Sequence, residues 1–204
     1  MSGRRRSVPR MVTTTVEPAT TSRWEDVQHA LTGGGDGRSC QCAWFTLTNA
    51  EFNRTDADQR RDLLQQEVDD DRAPGLVAYV DGEAAGWVRV GPRTVQRRIA
   101  RTRNIVTSTP EPLDDEYVWA ITCFVVRKDH RGQGLNTTLL NAAVDFAREH
   151  GARVIEAYPV DTSEGPVPAN DLYHGALSTF VAAGFTTTAS AKPGRPLVHR
   201  DLAA

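Results

Sequence analysis

The sequence predicts an α/β fold in which helices cover both faces of a central twisted sheet. The first observation is an apolar run at 118–126, which has the length and composition of a buried strand. The second is the helical repeat at 135–150, and the third is the return of a strand pattern at 153–158. A strand, a crossover helix and a second strand place parallel strands in one sheet, with the helix on one of its faces.

The N-terminal boundary of this domain is set by composition. Residues 1–20 are rich in Arg, Thr and Pro and have no apolar periodicity, so we predict a disordered tail there. The remaining residues, 21–204, are enough for one domain with its own core. The first strand of the sheet is obscure, and the Thr-rich stretch 11–16 is the best position for it.

Two helices are expected before the main strands. A capping-box pattern predicts a helix at about 22–31, and a charged stretch that opens at Thr55 or Asp56 predicts another, ending near Asp71. Between them, the glycine-rich stretch 33–37 is predicted to be a flexible loop.

A hairpin and an arginine-rich segment follow. Two strand patterns at 75–80 and 84–90 flank Asp81-Gly82, which is a hairpin turn signal. Five arginines then fall within 93–103, with few apolar residues and no aromatic ones. We interpret this segment as solvated and mobile beside a site, since a nucleic-acid surface would have interleaved aromatic residues.

The C-terminal part completes the sheet. After the strand at 153–158, an apolar face predicts one helix over 172–183, and strands are expected after Gly184 and at 196–202. His174 is expected on the surface of that helix, and the alternative is that it lines a pocket.

The loop between the central strand and its helix carries the strongest functional signal. Gly132 and Gly134 lie among basic side chains immediately before a helix begins. Helix N-termini have unpaired N–H groups and a partial positive charge, and glycine lets a backbone approach a ligand closely. The loop therefore predicts a phosphate cradle. Neither the P-loop spacing nor the three-glycine dinucleotide fingerprint is present.

The loop resembles the acyl-CoA loop of the GNAT superfamily of N-acyltransferases, whose pattern is Arg/Gln-x-x-Gly-x-Gly/Ala with a strand Val five residues before it. Val126, Arg131 and Gly134 match the pattern, and Asn136 stands where Gly or Ala is usual.

The second helix and the order of elements extend the resemblance to residues 20–202. The helix is followed by Gly184-Phe185, similar to the closing Tyr-x-x-x-Gly-Phe of the superfamily, with Phe180 in the Tyr position. The resemblance implies a GNAT-like mixed sheet, and an enzyme that moves an acetyl or other short acyl group from acyl-CoA to a primary amine in a ternary complex.

The resemblance also implies the residues that hold acetyl-CoA as co-substrate. The end of the central strand would bind the pantetheine arm, and backbone N–H groups of the loop would bind the pyrophosphate. The residues implied are Phe124, Val125, Val126, Arg131, Gly132, Gln133, Gly134, Asn136 and Thr137.

Proton carriers are less clearly marked than the donor site. Because Phe180 cannot donate a proton to the leaving thiolate, we expect Tyr173, two turns earlier on the predicted helix, to be the acid. Tyr158 is an alternative, and so is a thiolate that leaves unassisted. Glu156 and Glu116 are the candidate bases, since a carboxylate in an apolar strand is partly desolvated.

Cysteines complete the list of candidate reactive groups. Cys123 on the central strand could permit an acyl-enzyme route, although a buried strand cysteine is usually inert. Cys40 and Cys42 lack a second ligand pair at zinc-finger spacing, so no metal site is predicted.

Composition bounds the partners and the compartment. The net charge is −2, which argues against a nucleic-acid partner. Only two of the 24 basic residues are lysines, a bias that is typical of high-GC bacterial proteins. No run approaches the roughly 20 apolar residues of a membrane span, and no signal peptide is seen, so a cytoplasmic location is expected. A homodimer is compatible with the sequence.

The acceptor is expected to be a small-molecule amine. An acidic run at 114–116 could attract a cationic amine or simply be a solvated loop. The alternative function is an acyl-CoA-binding regulatory module, or one that is catalytically vestigial, because Phe180 and Asn136 depart from the family pattern.

Overall fold

A seven-stranded mixed sheet forms the centre of the molecule. The computed structural model describes residues 12–163, 165, 167–188 and 192–202. The strands are β1 (Thr14–Pro18), β2 (Gly75–Val80), β3 (Glu83–Pro92), β4 (Val118–Val126), β5 (Val154–Ala157), β6 (Thr186–Thr187) and β7 (Val198–Asp201). Their order across the sheet is β1-β2-β3-β4-β5-β7-β6. Only β4 and β5 run parallel, and the other neighbours are antiparallel.

Helices flank this sheet. They are α1 (Trp24–Leu31), α2 (Gly37–Cys40), α3 (Asn49–Arg54), α4 (Ala57–Val68), α5 (Arg103–Val106), α6 (Leu135–Glu149) and α7 (Leu177–Ala182). Short 3-10 turns lie at Thr21–Arg23, Arg93–Val95, Ile99–Arg101, Lys128–His130 and Ala169–His174. No helix in the described part of the chain is long and apolar enough to cross a bilayer.

The two faces of the sheet are covered by different helices, as predicted. The long helix α6 packs its apolar side, with Leu139 and Phe146 among its buried residues, on one face. Helices α1 and α4 bury Val27 and Leu64 against the other face, beside Trp87. Neighbouring side chains along a strand point to opposite faces. Because helices cover both faces, the central strands are apolar at successive positions.

The N-terminal prediction needs a correction. Strand β1 pairs with β2 from Thr14 to Pro18, so residues counted with the disordered tail belong to the sheet. The reason is that a Thr-rich edge strand has little apolar signal of its own and is ordered by its neighbour's hydrogen bonds. The beginning of the predicted tail and strand, residues 1–11, lies outside the described residues.

The predicted helix over 172–183 is also wrong in its extent. Residues Ala169–His174 form a separate 3-10 turn, Gly175 has φ of 79°, and Ala176 is extended and bridges to Val160. The helix α7 therefore covers only the second half of the predicted span. Tyr173 and Phe180 consequently lie on different elements, and the argument that they share one helix face does not apply.

The arginine-rich segment is folded and partly buried, whereas the sequence pattern favours a solvated and mobile segment at 93–103. Arg93, Gln96 and Ile99 are all at most 2% exposed. The oxygens that receive the buried arginines come from elements distant in sequence, so the sequence around the segment could not reveal them.

Candidate active site

The central strand leaves its parallel neighbour halfway along its length. Pairing of β4 with β5 ends at Ile121 and Ala157, while β4 continues to Val126 beside β3. Beyond Ala157 the chain turns away to Val160, where it bridges to Ala176. Near its carboxyl end, one edge of β4 is therefore without a strand partner among the described residues, and the backbone groups there can pair with an extended ligand.

A bulge in β4 lies at the point where the strands separate. Arg89 of β3 faces Cys123 while Val90 faces Ile121, so Thr122 is the extra residue. The Thr122 hydroxyl donates to Gln96 Oε1 at 2.6 Å, and Gln96 Nε2 donates to the Ala120 carbonyl at 3.1 Å. The buried arginine-rich segment thus holds the bulge in place, a role that the sequence did not reveal.

A cleft of about 970 Å³ opens along this free edge. Its walls include all but one of the residues that the family resemblance implied for the donor. These are Phe124, Val125, Val126, Arg131, Gly132, Gly134, Asn136 and Thr137, and the exception is Gln133. The Gln133 side chain instead donates to the Asp129 carbonyl at 3.3 Å. The cleft has a size found for cofactor sites.

The end of the cleft at the phosphate loop has the geometry of an anion site. Gly134 is the N-cap of α6 with φ of 78°, and Gly132 has φ of 74°. No described side chain caps the helix, so the N–H groups of Leu135 and Asn136 are left for a ligand or water, while the Thr137 N–H donates to the Gly134 carbonyl at 3.0 Å. Arg131 adds a guanidinium whose Nε donates to the Val126 carbonyl at 3.3 Å.

The glycine-rich stretch 33–37, predicted as a flexible loop, packs against the phosphate loop. The Lys128 N–H donates to the Gly33 carbonyl at 3.1 Å. A β-carbon on Gly33 would lie 2.1 Å from the Arg127 side chain, so only glycine fits this contact. Gly34, Gly35 and Gly37 line the cleft. The run of glycines was the available signal, because close backbone approach needs them.

Tyr173 is the predicted catalytic residue that the structure places in the cleft. It lines the cleft together with Cys123 and Phe124 of β4, and packs against the apolar cluster that contains Cys123. Burial, and secondarily the nearby Cys123, raise the pKa of Tyr173 above its usual value. Its hydroxyl forms no hydrogen bond with another described residue, and it remains protonated, which a proton donor requires.

The predicted carboxylates lie away from the walls of the cleft. Glu156 is fully buried, with its Oε2 2.9 Å from Arg93 Nη1 and 3.2 Å from the Tyr158 hydroxyl. Thr109 donates to its other oxygen. Glu116 is exposed in the turn before β4, about 30 Å of strand from Val126. Neither lines the cleft.

The thiols form a small cluster on the cleft wall. The Cys42 thiol donates to the Cys123 sulfur at 3.1 Å, and both residues are buried. That hydrogen bond, together with burial, raises the pKa of Cys123 well above its usual value. Burial raises the pKa of Cys40 to about 11. Cys123 and Cys40 are therefore thiols at neutral pH, and weak nucleophiles. Among the described residues, no group of three metal-ligating side chains is found.

Phe180, which stands in the family's Tyr position, is a core residue. It is fully buried and packs edge-on against Phe124 and Phe185, with ring centroids 6.0 and 5.3 Å away. Gly175 is needed beside it, since a β-carbon there would lie 2.8 Å from the Phe180 ring.

A second cavity of about 760 Å³ adjoins the cleft. Trp44, Phe45 and Tyr173 line both spaces. His174, expected on the surface, is buried on the wall of the second cavity, and burial lowers its pKa to about 3. The residues of this cavity come from the N-terminal helices, the arginine-rich segment and the 3-10 turn at 169–174, and no local pattern links them.

The sheet with one strand leaving its parallel neighbour, and the anion site at the start of the following helix, define a protein that binds an extended, phosphate-bearing ligand. The sequence model of the acetyltransferase (GNAT) family matches residues 42–175, well over half of the chain. The chain belongs to this family, as the resemblance of its loop predicted. It is an acetyltransferase that uses acetyl-CoA.

Solved structures confirm the fold. YncA from Salmonella typhimurium, a proposed acetyltransferase determined with its cofactor acetyl-CoA, is 19% identical with a TM-score of 0.51, covering 93% of this chain and 94% of that one. An N-acetyltransferase from Staphylococcus aureus Mu50 is 16% identical with a TM-score of 0.54, covering 94% and 99%. A ribosomal-protein-alanine N-acetyltransferase from Brucella melitensis is 17% identical with a TM-score of 0.52, covering 92% and 99%. No curated protein sequence matched the chain.

Proposed function

We propose that the protein transfers the acetyl group of acetyl-CoA directly to the primary amine of a small molecule. The observation that carries this proposal is the junction of two spaces at Trp44, Phe45 and Tyr173. One space fits a long, phosphate-bearing donor, and the other is a separate cavity of the size that small ligands occupy. Two ligands that meet at such a junction can react without a covalent enzyme intermediate.

Donor binding is assigned to the free edge of β4 and to the loop. Phe124, Val125 and Val126 would hydrogen-bond the pantetheine arm as an added strand does. Backbone N–H groups of the loop, from Arg131 to Thr137, would hold the pyrophosphate, with the Arg131 guanidinium adding charge-assisted contacts. In this assignment Gln133 acts through its backbone, since its side chain is bonded to Asp129.

The Arg131 assignment has a direct test. We expect Arg131→Ala to weaken acetyl-CoA binding by about tenfold, because a charge-assisted hydrogen bond is worth about 1.5–3 kcal/mol and this side chain is exposed. Isothermal titration measures the affinity. Arg148→Ala is the matched control and should bind like wild type, since Arg148 lies on the exposed side of α6 in an ion pair with Asp145. Equal affinities for both variants would remove Arg131 from the site.

Tyr173 is assigned as the acid. The amine nitrogen attacks the thioester carbonyl, the carbon–sulfur bond breaks, and the Tyr173 hydroxyl gives its proton to the leaving sulfur. The proton lost by the amine leaves to solvent, and one proton from solvent restores the hydroxyl. Burial supports this role, since it keeps Tyr173 protonated while a newly formed thiolate in the same low-dielectric site is a strong base.

Tyr173→Phe tests this assignment, because it keeps the ring and removes only the proton. We expect kcat to fall by about 10²-fold with the KM for acetyl-CoA unchanged, in the range of general acid catalysis. Release of free thiol measures the rate. Tyr117→Phe, an exposed tyrosine at the opposite end of β4, is the matched control. Full activity of Tyr173→Phe would exclude it as the acid.

Direct transfer is favoured over an acyl-enzyme on Cys123. The raised pKa of Cys123 leaves little thiolate at neutral pH, and its sulfur accepts a hydrogen bond from the Cys42 thiol. Glu156 is better understood as a positioning residue, which fixes Arg93 and Tyr158 from inside the core. The place of Glu116 outside the cleft gives it no contact with either ligand.

The function itself is tested by mixing the protein with acetyl-CoA and a panel of amines. Acetylated product with equal release of free thiol supports the proposal. Tight binding of acetyl-CoA with no turnover across small amines and peptide N-termini would favour the regulatory alternative. Turnover of peptides alone would place the acceptor among proteins.

A further inference from the structure

Arg98 is a buried cation without an anionic partner among the described residues. Its side chain lines the second cavity, and the residue is 6% exposed. The guanidinium donates through Nε to the Trp44 carbonyl and through Nη1 to Asn49 Oδ1, both neutral acceptors. The remaining nitrogen, Nη2, is buried and has no hydrogen-bond partner in the described part of the chain.

The other buried arginines show that this arrangement is unusual for the molecule. Arg89 and Arg93 are as deeply buried as Arg98, and each is paired with a carboxylate, from Glu67 and Glu156 respectively. A buried charge without a counter-charge is costly, so proteins rarely keep one. No described carboxylate forms an ion pair with Arg98, which leaves the open side of the cavity as the place for its counter-ion.

The cavity around Arg98 is positive. Arg101, Lys192 and Arg195 also line it, against Asp171 as the single acidic residue of its described wall. Arg98 is held in position by stacking over Trp44, with the guanidinium carbon 3.8 Å from the ring centroid. Its orientation is therefore set before a ligand arrives, which reduces the entropy cost of binding.

A second polar atom of the wall is also buried without a partner. Nδ1 of His174 has no hydrogen bond to the described residues. Because the pKa of His174 is lowered to about 3, its ring is neutral and adds a hydrogen-bonding group rather than a charge. Two residues of this wall therefore each keep a buried polar atom without a hydrogen-bond partner among the described residues, and a polar ligand that reaches them would complete their bonding.

We propose that the acceptor amine carries an anionic oxyacid group, a carboxylate or a phosphonate, which binds Arg98 Nη2 in the second cavity. The inference rests on the proposed function and narrows its acceptor from any amine to an acidic one. It also bears on the missing base: a cationic wall disfavours the ammonium form of the acceptor, so the amine is neutral and reactive more often than in water. The acidic run at 114–116 lies elsewhere, with Asp115 bound to Arg153 at 2.6 Å.

Matched acceptors test the charge requirement on the wild-type protein. Glycine, β-alanine and γ-aminobutyrate are compared with their primary amides, which keep the shape and lose the charge, and aminomethylphosphonate separates the two anion classes. We expect kcat/KM to favour at least one acid over its amide by about 10- to 100-fold, from the strength of a charged hydrogen bond. Equal values for every pair, or a preference for amides or peptides, would overturn the proposal.

A pair of variants assigns the effect to one side chain. Arg98→Gln should raise the KM for the preferred acid by about 10-fold or more relative to the KM for its amide, so that the preference for the acid is lost. Arg97→Gln removes the neighbouring exposed arginine, which pairs with Glu51 outside the cavity, and should behave like wild type. Equal loss on acid and amide would mean that Arg98 has only a structural role.

Binding measurements separate this inference from the proposed function. The N-acetyl derivatives of the same acids and amides are titrated into wild type and, if it folds, Arg98→Gln. Wild-type binding of an acid derivative in preference to its amide supports the anion site even if no acceptor is turned over. Turnover of small amines without any preference for acids leaves the proposed function in place and removes the anion site.

Discussion

The loop at 127–137 and the segment at 91–106 both border the candidate active site, yet only the loop carries a pattern that predicts its chemistry from the sequence. The loop is exposed, and the groups that we assign to its ligand are backbone N–H groups of neighbouring residues. The segment is partly buried, and its buried arginines find partners from 16 to 63 positions away in sequence. A local backbone device leaves a local pattern of glycines, whereas a side-chain network leaves none.

The largest effect is expected from breaking the buried network. Arg93→Met leaves the Glu156 carboxylate buried and unpaired, which should lower the free energy of unfolding by about 3–5 kcal/mol. Arg97→Met removes an exposed pair with Glu51 and should cost less than about 1 kcal/mol. Urea denaturation measures both.

The double variant Arg93→Met/Glu156→Gln is the internal control for that prediction. Removing the charge on Glu156 should restore a large part of the loss, because the penalty belongs to the unpaired carboxylate. Similar losses for Arg93→Met and Arg97→Met would show that the buried segment is no more tightly tied than the surface.

The next largest effect is a pH dependence of stability that arises from His174, on the wall of the second cavity. The pKa of His174 is about 3 in the folded state, below the ordinary 6.5, because of burial and the nearby Arg195. Between these values the unfolded chain binds one more proton, so stability is complete above about pH 6.5 and is lost as the pH falls toward 3, by about 1.4 kcal/mol per pH unit.

His174→Gln removes this contribution. Between pH 6.5 and 4.5 the variant should lose about 2–3 kcal/mol less than wild type, with the carboxylates common to both proteins cancelling in the difference. Urea denaturation at stepped pH measures it. Parallel curves for the two proteins would mean that His174 is hydrated in solution.

The smallest expected effect on stability comes from replacing the glycines at the two ends of α6. These variants distinguish the backbone strain of a substitution from its effect on ligand binding. Gly134 and Gly151 stand at the two ends of α6 with φ of 78° and 81°, and a β-carbon would meet nothing within 4 Å at either. Each Ala variant should lose about 1–2 kcal/mol of stability from the left-handed backbone.

Only Gly134→Ala should then weaken acetyl-CoA binding, by about tenfold, since only this glycine lines the cleft. Isothermal titration on both variants, beside their unfolding curves, gives the comparison. Equal affinities would show that the ligand does not approach the loop backbone as closely as proposed.

The elements with strong local patterns were predicted correctly. The hairpin turn at Asp81-Gly82 has positive φ at both residues, as its signal requires, and α6 begins after Gly134 and ends before Gly151. The helix opened by Asp56 is capped by that side chain, in a capping box with Gln59. In each case the residue that defines the boundary also satisfies the backbone there, so the information is local.

The predictions that failed concern residues whose surroundings come from afar. Tyr173 and His174 lie in a stretch, 172–183, whose apolar spacing predicts one helix. Gly175 and the bridge from Ala176 to Val160 interrupt it, so these two residues lie in a 3-10 turn before α7. Tyr173 still reaches the cleft, although by a different path from the one expected. The burial of His174 depends on Phe45, whose ring lies 5.7 Å away and which is 129 positions earlier in sequence.

The sequence by itself determined the family and the α/β sheet, and it predicted the donor site, because backbone hydrogen bonding and glycine conformations are encoded by neighbouring residues. Only the tertiary structure decided that β4 separates from β5 at Ala157, that Glu156 is bound to Arg93, and that Arg98 lies buried without a counter-ion. The charge state and partners of a buried side chain depend on which distant elements pack around it, and no short pattern records that.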